Sequence, residues 1–539
     1  MEYLYSLSLA LFLTIALIPL LIKVSGRLGL VDQPGAERKV HSSAMPRTGG
    51  LGIIIGAALP LLILLPMDGY LRQLFIGCVI TVLFGLLDDR VELSYLWKIF
   101  GQSLAAIVVM SGGIVLHHLP FLGLSDSPLW LSYPITFLFL VGVVNGVNFS
   151  DGLDGLAAGT SIMALLLIFT LAIQSENSAV ALISLTLVGG VLGFLRFNTF
   201  PANIFMGDAG SQFLGFIIAC LAIAVTQSEI SPYSAWLPVL ILGIPIMDII
   251  QVIPVRIYKK LPLPGPDKEH FHHQVGKLGF SHVEVVAIIY LLQTILMTGA
   301  FLLRYESDLA VALFYAGFVI TILSALLLAN ASNWRFRRGV RQPAVENRRN
   351  NYLRRFNWYH RHAARLIAVL LGVFFITAGW RLGDYDSIFL AATALAGAFA
   401  VSLFVARFQF STGLFRIILY CVCVFIAYQI ATSHIALDEE YWLLGFMLAM
   451  VICLVTAIRM TRRQEFALTT QDLLILLVVV LVPLLPIEFL GEYEIGGIAL
   501  IVAVLMYTSE FVLICSTRMI AFSVACAIAG ALLVLPVGK

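Results

Sequence analysis

The sequence predicts an all-α polytopic membrane protein, and three observations carry that reading. Of 539 residues, 60% are hydrophobic and only 12% charged, about half the charge fraction of a soluble domain. Mean hydropathy is +0.97. Apolar stretches of bilayer length, about 18 residues or more, recur from one end of the chain to the other. Within hydrocarbon each such stretch must satisfy its own backbone, which a helix does.

The elements follow in order. Eleven spans are expected near 3–22, 50–66, 71–87, 99–116, 129–146, 156–175, 179–196, 211–227, 235–254, 283–303 and 309–329. The first reads as a retained span rather than a signal peptide. Its apolar run is too long, no basic stretch precedes it, and Lys23 and Arg27 follow where a small-residue cleavage site would stand. About seven further spans are expected within 366–539, with short loops and no comparable polar cluster. The expected organisation is therefore a bundle of about eleven helices over 1–335, a basic cytoplasmic linker over 336–365, and a C-terminal membrane domain of unknown function over 366–539. The linker reads either as an orientation signal or as an amphipathic stretch on anionic headgroups. Nucleic acid is not an expected partner so close to a bilayer.

Charge sets the orientation. With the N-terminus outside, 29 of the 33 Lys and Arg fall in inside loops, leaving Arg72, Arg304, Arg381 and Lys539 outside. That asymmetry obeys the positive-inside rule and puts every polar cluster below on the cytoplasmic face. The seven cysteines form no C-x-x-C pair and read as small core residues.

The densest cluster is Asn145-Gly-Val-Asn148-Phe-Ser-Asp151-Gly-Leu-Asp154-Gly155. Two amides and two carboxylates at a span end are costly and mark a substrate or ion site. Spacing of three puts Asp151 and Asp154 on one face if the segment is helical, and with Gly152 and Gly155 allowing a break the pattern resembles a broken helix lining a polar cavity. The plainer reading is an Asx- and Gly-rich turn. Asp88-Asp89 closes the third span, offering ligands for a hard cation or a proton acceptor. It also reads as a solvated pair balanced by Arg90 and Lys98. Phe205-Met-Gly207-Asp208-Ala-Gly210-Ser211 precedes the eighth span. Its glycines leave N–H groups open for phosphate, Asp208 offers a metal ligand, and Ser211 is placed to cap the helix. Asp267-Lys-Glu-His270-Phe-His272-His273, with Arg256, Lys259, Lys260 and Lys268 nearby, suits phosphate binding or proton transfer. A first basic loop, Asp32 to Gly50 with Arg38, Lys39, His41 and Arg47, completes this face as ligand contacts or as orientation charge. Together these describe a metal-dependent, phosphate-binding cavity at the membrane surface.

Residues 1 to about 335 resemble the polyprenyl-phosphate N-acetylhexosamine-1-phosphate transferases, a glycosyltransferase family 4 type. Five motifs stand in the family's order: Asp32-x-Pro34 with Arg38-Lys39-x-His41 and Pro46-x-x-Gly49-Gly50, Asp88-Asp89, Asn145 to Gly155, Phe205 to Ser211, and Asp267 to His273. The last motif is closer in form to the N-acetylglucosamine branch than to the muramoyl-pentapeptide branch. Lys268 and Gln274 depart from the common pattern, so a muramoyl-pentapeptide or modified aminosugar donor stays an alternative.

The resemblance implies an active site on the cytoplasmic face of a bacterial inner membrane. There, an N-acetylhexosamine 1-phosphate would pass from a UDP-sugar to undecaprenyl phosphate, releasing UMP and starting cell wall or lipopolysaccharide O-antigen synthesis. The implied cofactor is Mg²⁺, with Mn²⁺ as a substitute, held by Asp208 and Asp151. Asp88 or Asp89 would serve as base or electrostatic partner of the lipid phosphate, beside Asp208 in the catalytic group. Asn145, Asn148, Asp151 and Asp154 would hold the nucleotide and diphosphate, and Phe205 would stack on uracil. Arg38, Lys39, Arg47, Arg256, His270, His272 and His273 would contact phosphate. Expected partners are the lipid bilayer, a second copy of the chain and downstream glycan-assembly enzymes. A transporter or flippase is the rival class, since intramembrane carboxylates occur there too. Its sites lie near the midplane between related halves, whereas these clusters share one face and one half.

Overall fold

The computed structural model describes residues 2–32, 44–118, 127–227, 231–258, 260 and 270–336. Beyond these it describes only scattered helical residues: 366–367, 369–371, 373–374, 448–450, 453, 504–505 and 508. The seven C-terminal spans and the basic linker therefore lie almost wholly outside the described residues, as do Arg38, Lys39, His41, Asp267 and Lys268. Contacts group Met1–Val340 with Thr469–Leu477 in one compact unit and the rest of the chain in another.

Among the described residues the first unit is built of helices, and the chain is a polytopic all-α membrane protein. Its helices are α1 (Glu2–Leu28), α2 (Gly49–Leu64), α3 (Gly69–Val91), α4 (Tyr95–Ser111), α5 (Leu129–Ser150), α6 (Leu156–Gln174) and α7 (Ser178–Asn198). They continue as α8 (Gly207–Thr226), α9 (Leu237–Ile241), α10 (Gly243–Tyr258), α11 (Phe271–Lys277), α12 (His282–Leu302) and α13 (Asp308–Ala331). Among the described residues, eight of these are long and apolar enough to cross a membrane, and α2 and α4 are shorter apolar helices. α8 is the axis of the bundle, with 94% of its most apolar stretch buried against 17% for α13, which leaves α13 at the rim.

Small residues bring the helices together, as expected where lipid removes the hydrophobic drive between them. Gly52 and Gly56 of α2 and Gly189 and Gly193 of α7 lie against α1, where a Cβ would meet Ile18, Thr14, Leu11 or Leu7. Thr14 Oγ1 donates to the Gly52 carbonyl at 3.2 Å. At α8, Gly210 touches Gly50 of α2, and Gly85 of α3 touches Ala209, backbone to backbone. Three helices thus converge at the residues around Asp208.

The ninth expected span is not one helix. It breaks at Leu242 into α9 and α10. Pro245 has no N–H to bond the carbonyl four residues earlier, which is that of Ile241. Gln293 of α12 fills the vacancy, Nε2 to Ile241 O at 3.1 Å, and the Tyr315 hydroxyl of α13 donates to Gly243 O at 2.9 Å. A broken helix is tolerated at membrane depth where neighbours satisfy its freed groups. The first basic loop also holds more order than expected. Two residues at each end, β1 (Val31–Asp32) and β2 (Met45–Pro46), pair antiparallel.

The chain reverses between successive spans, so α2, α4, α6, α8 and α12 begin at the end of the bundle where α3, α5, α7 and α10 finish. Each polar cluster of the sequence sits at one of those junctions.

Candidate active site

At this common end lies a cavity of about 280 Å³ lined by Asp32, Arg47, Asp89, Asn148, Asp151, Gly152, Leu153, Asp154, Asn198, Phe205, Gly207 and Asp208. Five carboxylates face one arginine across it. Seven of the residues expected at the site converge here: Arg47, Asp89, Asn148, Asp151, Asp154, Phe205 and Asp208.

The start of α8 explains why Asp208 stands where it does. The first turn of a helix has unpaired N–H groups. The Asp89 carboxylate of α3 accepts two of them, from Asp208 at 2.9 Å and Ala209 at 3.0 Å. Gly207 is left-handed, φ 77°, and a Cβ there would come within 2.7 Å of Asp89 Oδ2. A cap from another helix, not Ser211, therefore starts α8. Ser211 lies a turn inside, where its hydroxyl donates to Asn148 Oδ1 at 2.5 Å and ties α8 to α5.

The acidic pair is not on a helical face. α5 ends at Ser150 and α6 begins at Leu156, and Gly155 between them has φ 80°, so residues 151–155 form a turn. Asp154 Oδ2 accepts the Ala202 N–H at 3.0 Å from the loop before α8. Asn198 accepts the Gly155 N–H and donates to Ile204 O, both at 2.9 Å, binding the two loops together. Burial, and after it the negative charge of Asp208, Asp89 and Asp154, hold the Asp151 carboxyl well above the usual carboxylate range. Such a crowd of carboxylates favours a cation.

The remaining expected residues sit around the cavity rather than in its lining. Asp88 is buried and pairs with Lys98 Nζ of α4 at 2.5 Å, while its Oδ1 accepts the Leu93 N–H at 3.0 Å. The solvated-pair reading of Asp88-Asp89 does not hold, because both side chains are buried. Asn145 belongs to an amide network, donating to Gln102 Oε1 at 2.7 Å, with Gln102 reaching Gln212 at 3.3 Å. Arg256 is buried on α10. His270 and His272 are buried and His273 is exposed. His270 Nδ1 lies 2.8 Å from Asp248 Oδ2, and Asp248 Oδ1 accepts the Phe271 N–H at 2.6 Å. His272 sits over the acidic turn, its Nε2 next to Gly152. Burial, then the nearby His273, His270 and His282, push His272 down to about 3, so it is a neutral imidazole at physiological pH.

Asp248, Asn198 and Tyr290 were not singled out from the sequence. Asp248 carried a signal, as a lone carboxylate in an apolar span. Asn198 and Tyr290 carried none.

Among the described residues no group of three or more His, Cys, Asp or Glu side chains is arranged to hold a metal by itself. The donors are nevertheless the right kind for Mg²⁺. That ion favours oxygen ligands and is commonly bound by one or two carboxylates together with substrate phosphates. Asp208 and Asp151, both lining the cavity, fit that partial shell.

A model of glycosyl transferase family 4 matches residues 71–226, which contain most of α3, all of α4 to α8 and the Asp88-Asp89, Asn145–Gly155 and Phe205–Ser211 motifs. The chain is 38% identical to the probable undecaprenyl-phosphate N-acetylglucosaminyl 1-phosphate transferase of Bacillus subtilis, over 54% of this chain and 82% of that protein. The chain belongs to glycosyl transferase family 4. It is also 34% identical to the decaprenyl-phosphate N-acetylglucosaminephosphotransferase of Mycobacterium leprae, over 51% of this chain and 77% of that one. Identity to the undecaprenyl-phosphate alpha-N-acetylglucosaminyl 1-phosphate transferase of Escherichia coli K12 is 28%, over 53% of this chain and 79% of that one. The matched family segment ends before Asp248 and the histidines, which therefore come to the site from outside it.

Proposed function

We propose that this family 4 member transfers an N-acetylhexosamine 1-phosphate, N-acetylglucosamine 1-phosphate first among them, from a UDP-sugar to undecaprenyl phosphate, releasing UMP. One observation carries the reading: an acidic, oxygen-lined cavity at the start of α8, in a chain whose relatives are named as undecaprenyl-phosphate N-acetylglucosaminyl 1-phosphate transferases. The arginine and lysine distribution supports a cytoplasmic position for that cavity, where nucleotide donors are made.

The chain's own residues divide the work. Asp208 and Asp151 would hold Mg²⁺, which would supply charge neutralisation to the donor diphosphate and its leaving group. Asp89, both oxygens engaged by backbone N–H groups, fixes the position of Asp208. Asp88, held by the Leu93 N–H and by Lys98, and Asp89, which lines the cavity, are the two candidates for base or electrostatic partner of the acceptor phosphate. Asn148 and Asp154 border the nucleotide, with Phe205 offering a stacking face in the same lining. Arg47, salt-bridged to Asp32 at 2.6 Å, and the histidines of α11 border the diphosphate.

Asp208→Asn keeps the size of the side chain and removes its charge. Turnover is expected to fall by more than about a hundredfold, beyond what losing a supporting group alone costs, with normal membrane insertion. Full Mg²⁺-dependent turnover in Asp208→Asn would overturn the metal assignment. A panel of UDP-N-acetylhexosamines, read by lipid-linked sugar, names the donor.

A further inference from the structure

Tyr290 is fully buried on α12 and is not part of the cavity lining. Its hydroxyl donates to the Gly155 carbonyl at 2.6 Å. The N–H of the same glycine is held from the other side by Asn198 at 2.9 Å. The left-handed residue that closes the acidic turn is thus gripped at both of its polar groups. The ring reaches it because α6 has a glycine at 159, where any Cβ would collide with the Tyr290 ring and hydroxyl. About two turns before Tyr290, α12 begins at His282, whose ring stacks on Phe200 at 4.4 Å and whose Nε2 lies 3.4 Å from Asp154 O. Just upstream, His272 of α11 covers Gly152. A single stretch of chain, α11 followed by α12, therefore contacts the acidic turn at residues 152, 154 and 155.

We propose that Tyr290 is a positioning residue for the transfer reaction, fixing the conformation of the Asp151–Gly155 turn so that Asp151 and Asp154 meet the donor diphosphate. The proposal rests on the transferase reading. Its physical basis is that a carboxylate displaced by about an ångström costs up to a hundredfold in rate, and a turn with two glycines does not hold its carboxylates unaided. A buried tyrosine hydroxyl with one strong acceptor, placed under a positive-φ glycine, supplies the missing constraint. It also links that turn to the histidine segment, so the two groups of donor contacts move as one body.

The test uses the full-length protein with Tyr290→Phe, which removes one hydroxyl and no packing, and with Gly159→Ala, which displaces the same ring from the α6 side. Melting temperature, donor and acceptor KM, kcat, half-saturating Mg²⁺ and hydrogen exchange of peptides spanning 149–157 are measured for each. The expected result for Tyr290→Phe is about a tenfold fall in kcat/KM for the donor, a raised Mg²⁺ requirement, an unchanged acceptor KM and faster exchange in the turn. Gly159→Ala is expected to show the same pattern, and it carries the test if Tyr290→Phe does not accumulate. Unchanged donor kinetics and turn exchange, with or without a lower melting temperature, would overturn the proposal by showing that Tyr290 only packs. A wild-type protein inactive with every donor would count against the transferase reading instead, and the exchange measurement would still decide the role of Tyr290.

Discussion

Gly207 shows how one residue's backbone serves the chemistry beside it. Its φ of 77° costs an L-residue roughly 1–2 kcal/mol, and a Cβ would press on Asp89 Oδ2. Gly207→Ala should destabilise the protein by about 1–3 kcal/mol and lower activity, because the Asp89 cap must shift to make room. Denaturation and turnover measured on the same preparation check both. His272 gives a pH prediction. Its pKa is about 3 in the fold against an ordinary value near 6.5, so the folded state favours the neutral ring. The stability this contributes is complete above pH 6.5 and declines as pH falls from there toward 3. Wild type should lose melting temperature between pH 6.5 and 5 more steeply than His272→Gln; parallel curves would contradict it. The motif residues themselves were legible in the sequence, since charge in an apolar chain is expensive and therefore conspicuous. Their partners were less so. Asn198 and Tyr290 act through the peptide of Gly155, and no sequence spacing records a contact between residues more than forty positions apart.

At the level of elements, hydropathy places helices well and breaks poorly. Each expected segment up to 329 holds a helix, because an apolar run of that length has few other ways to satisfy its backbone. The start of the eighth was expected at 211 and stands at Gly207, since its cap is supplied by Asp89 of another helix rather than by Ser211. The split between α9 and α10 was missed because Gly243 and Pro245 lie inside a continuous apolar run, where hydropathy has no contrast. The repair of that split is testable. Gln293→Leu leaves the Ile241 carbonyl without its donor, and an unsatisfied buried group costs about 1–3 kcal/mol. A melting temperature equal to wild type would show that Gln293 is dispensable there. The segment 151–155 reads from its residues as a helix broken at Gly152 and Gly155 and lining a polar cavity, with a plain Asx-Gly turn as the alternative; the break is there, between α5 and α6. Both carboxylates line the cavity.

At the scale of the whole molecule, chain reversal gathers distant motifs at one end, so residues from Asp32 to His272 meet around a single cavity. The relatives account for about half of the chain, 54% in the Bacillus subtilis match, and the C-terminal half remains without an assigned role. A chain ended near Asn333 would lose a contact that belongs to the first half. Phe336 N–H donates to Leu278 O at 2.8 Å and its ring stacks on Phe280 at 4.8 Å, just after the histidine helix. A chain ended after Val340 should therefore keep transfer activity where one ended at Asn333 weakens it. Loss of activity in the longer one, with normal insertion, would show that both halves are needed. In the proposed transfer the phosphorus moves with the sugar. This is tested most directly by giving the purified protein undecaprenyl phosphate, Mg²⁺ and UDP-N-acetylglucosamine labelled at the β-phosphorus. Label is expected in the lipid product and UMP in solution; label left behind in UDP, with sugar alone on the lipid, would overturn the proposed transfer.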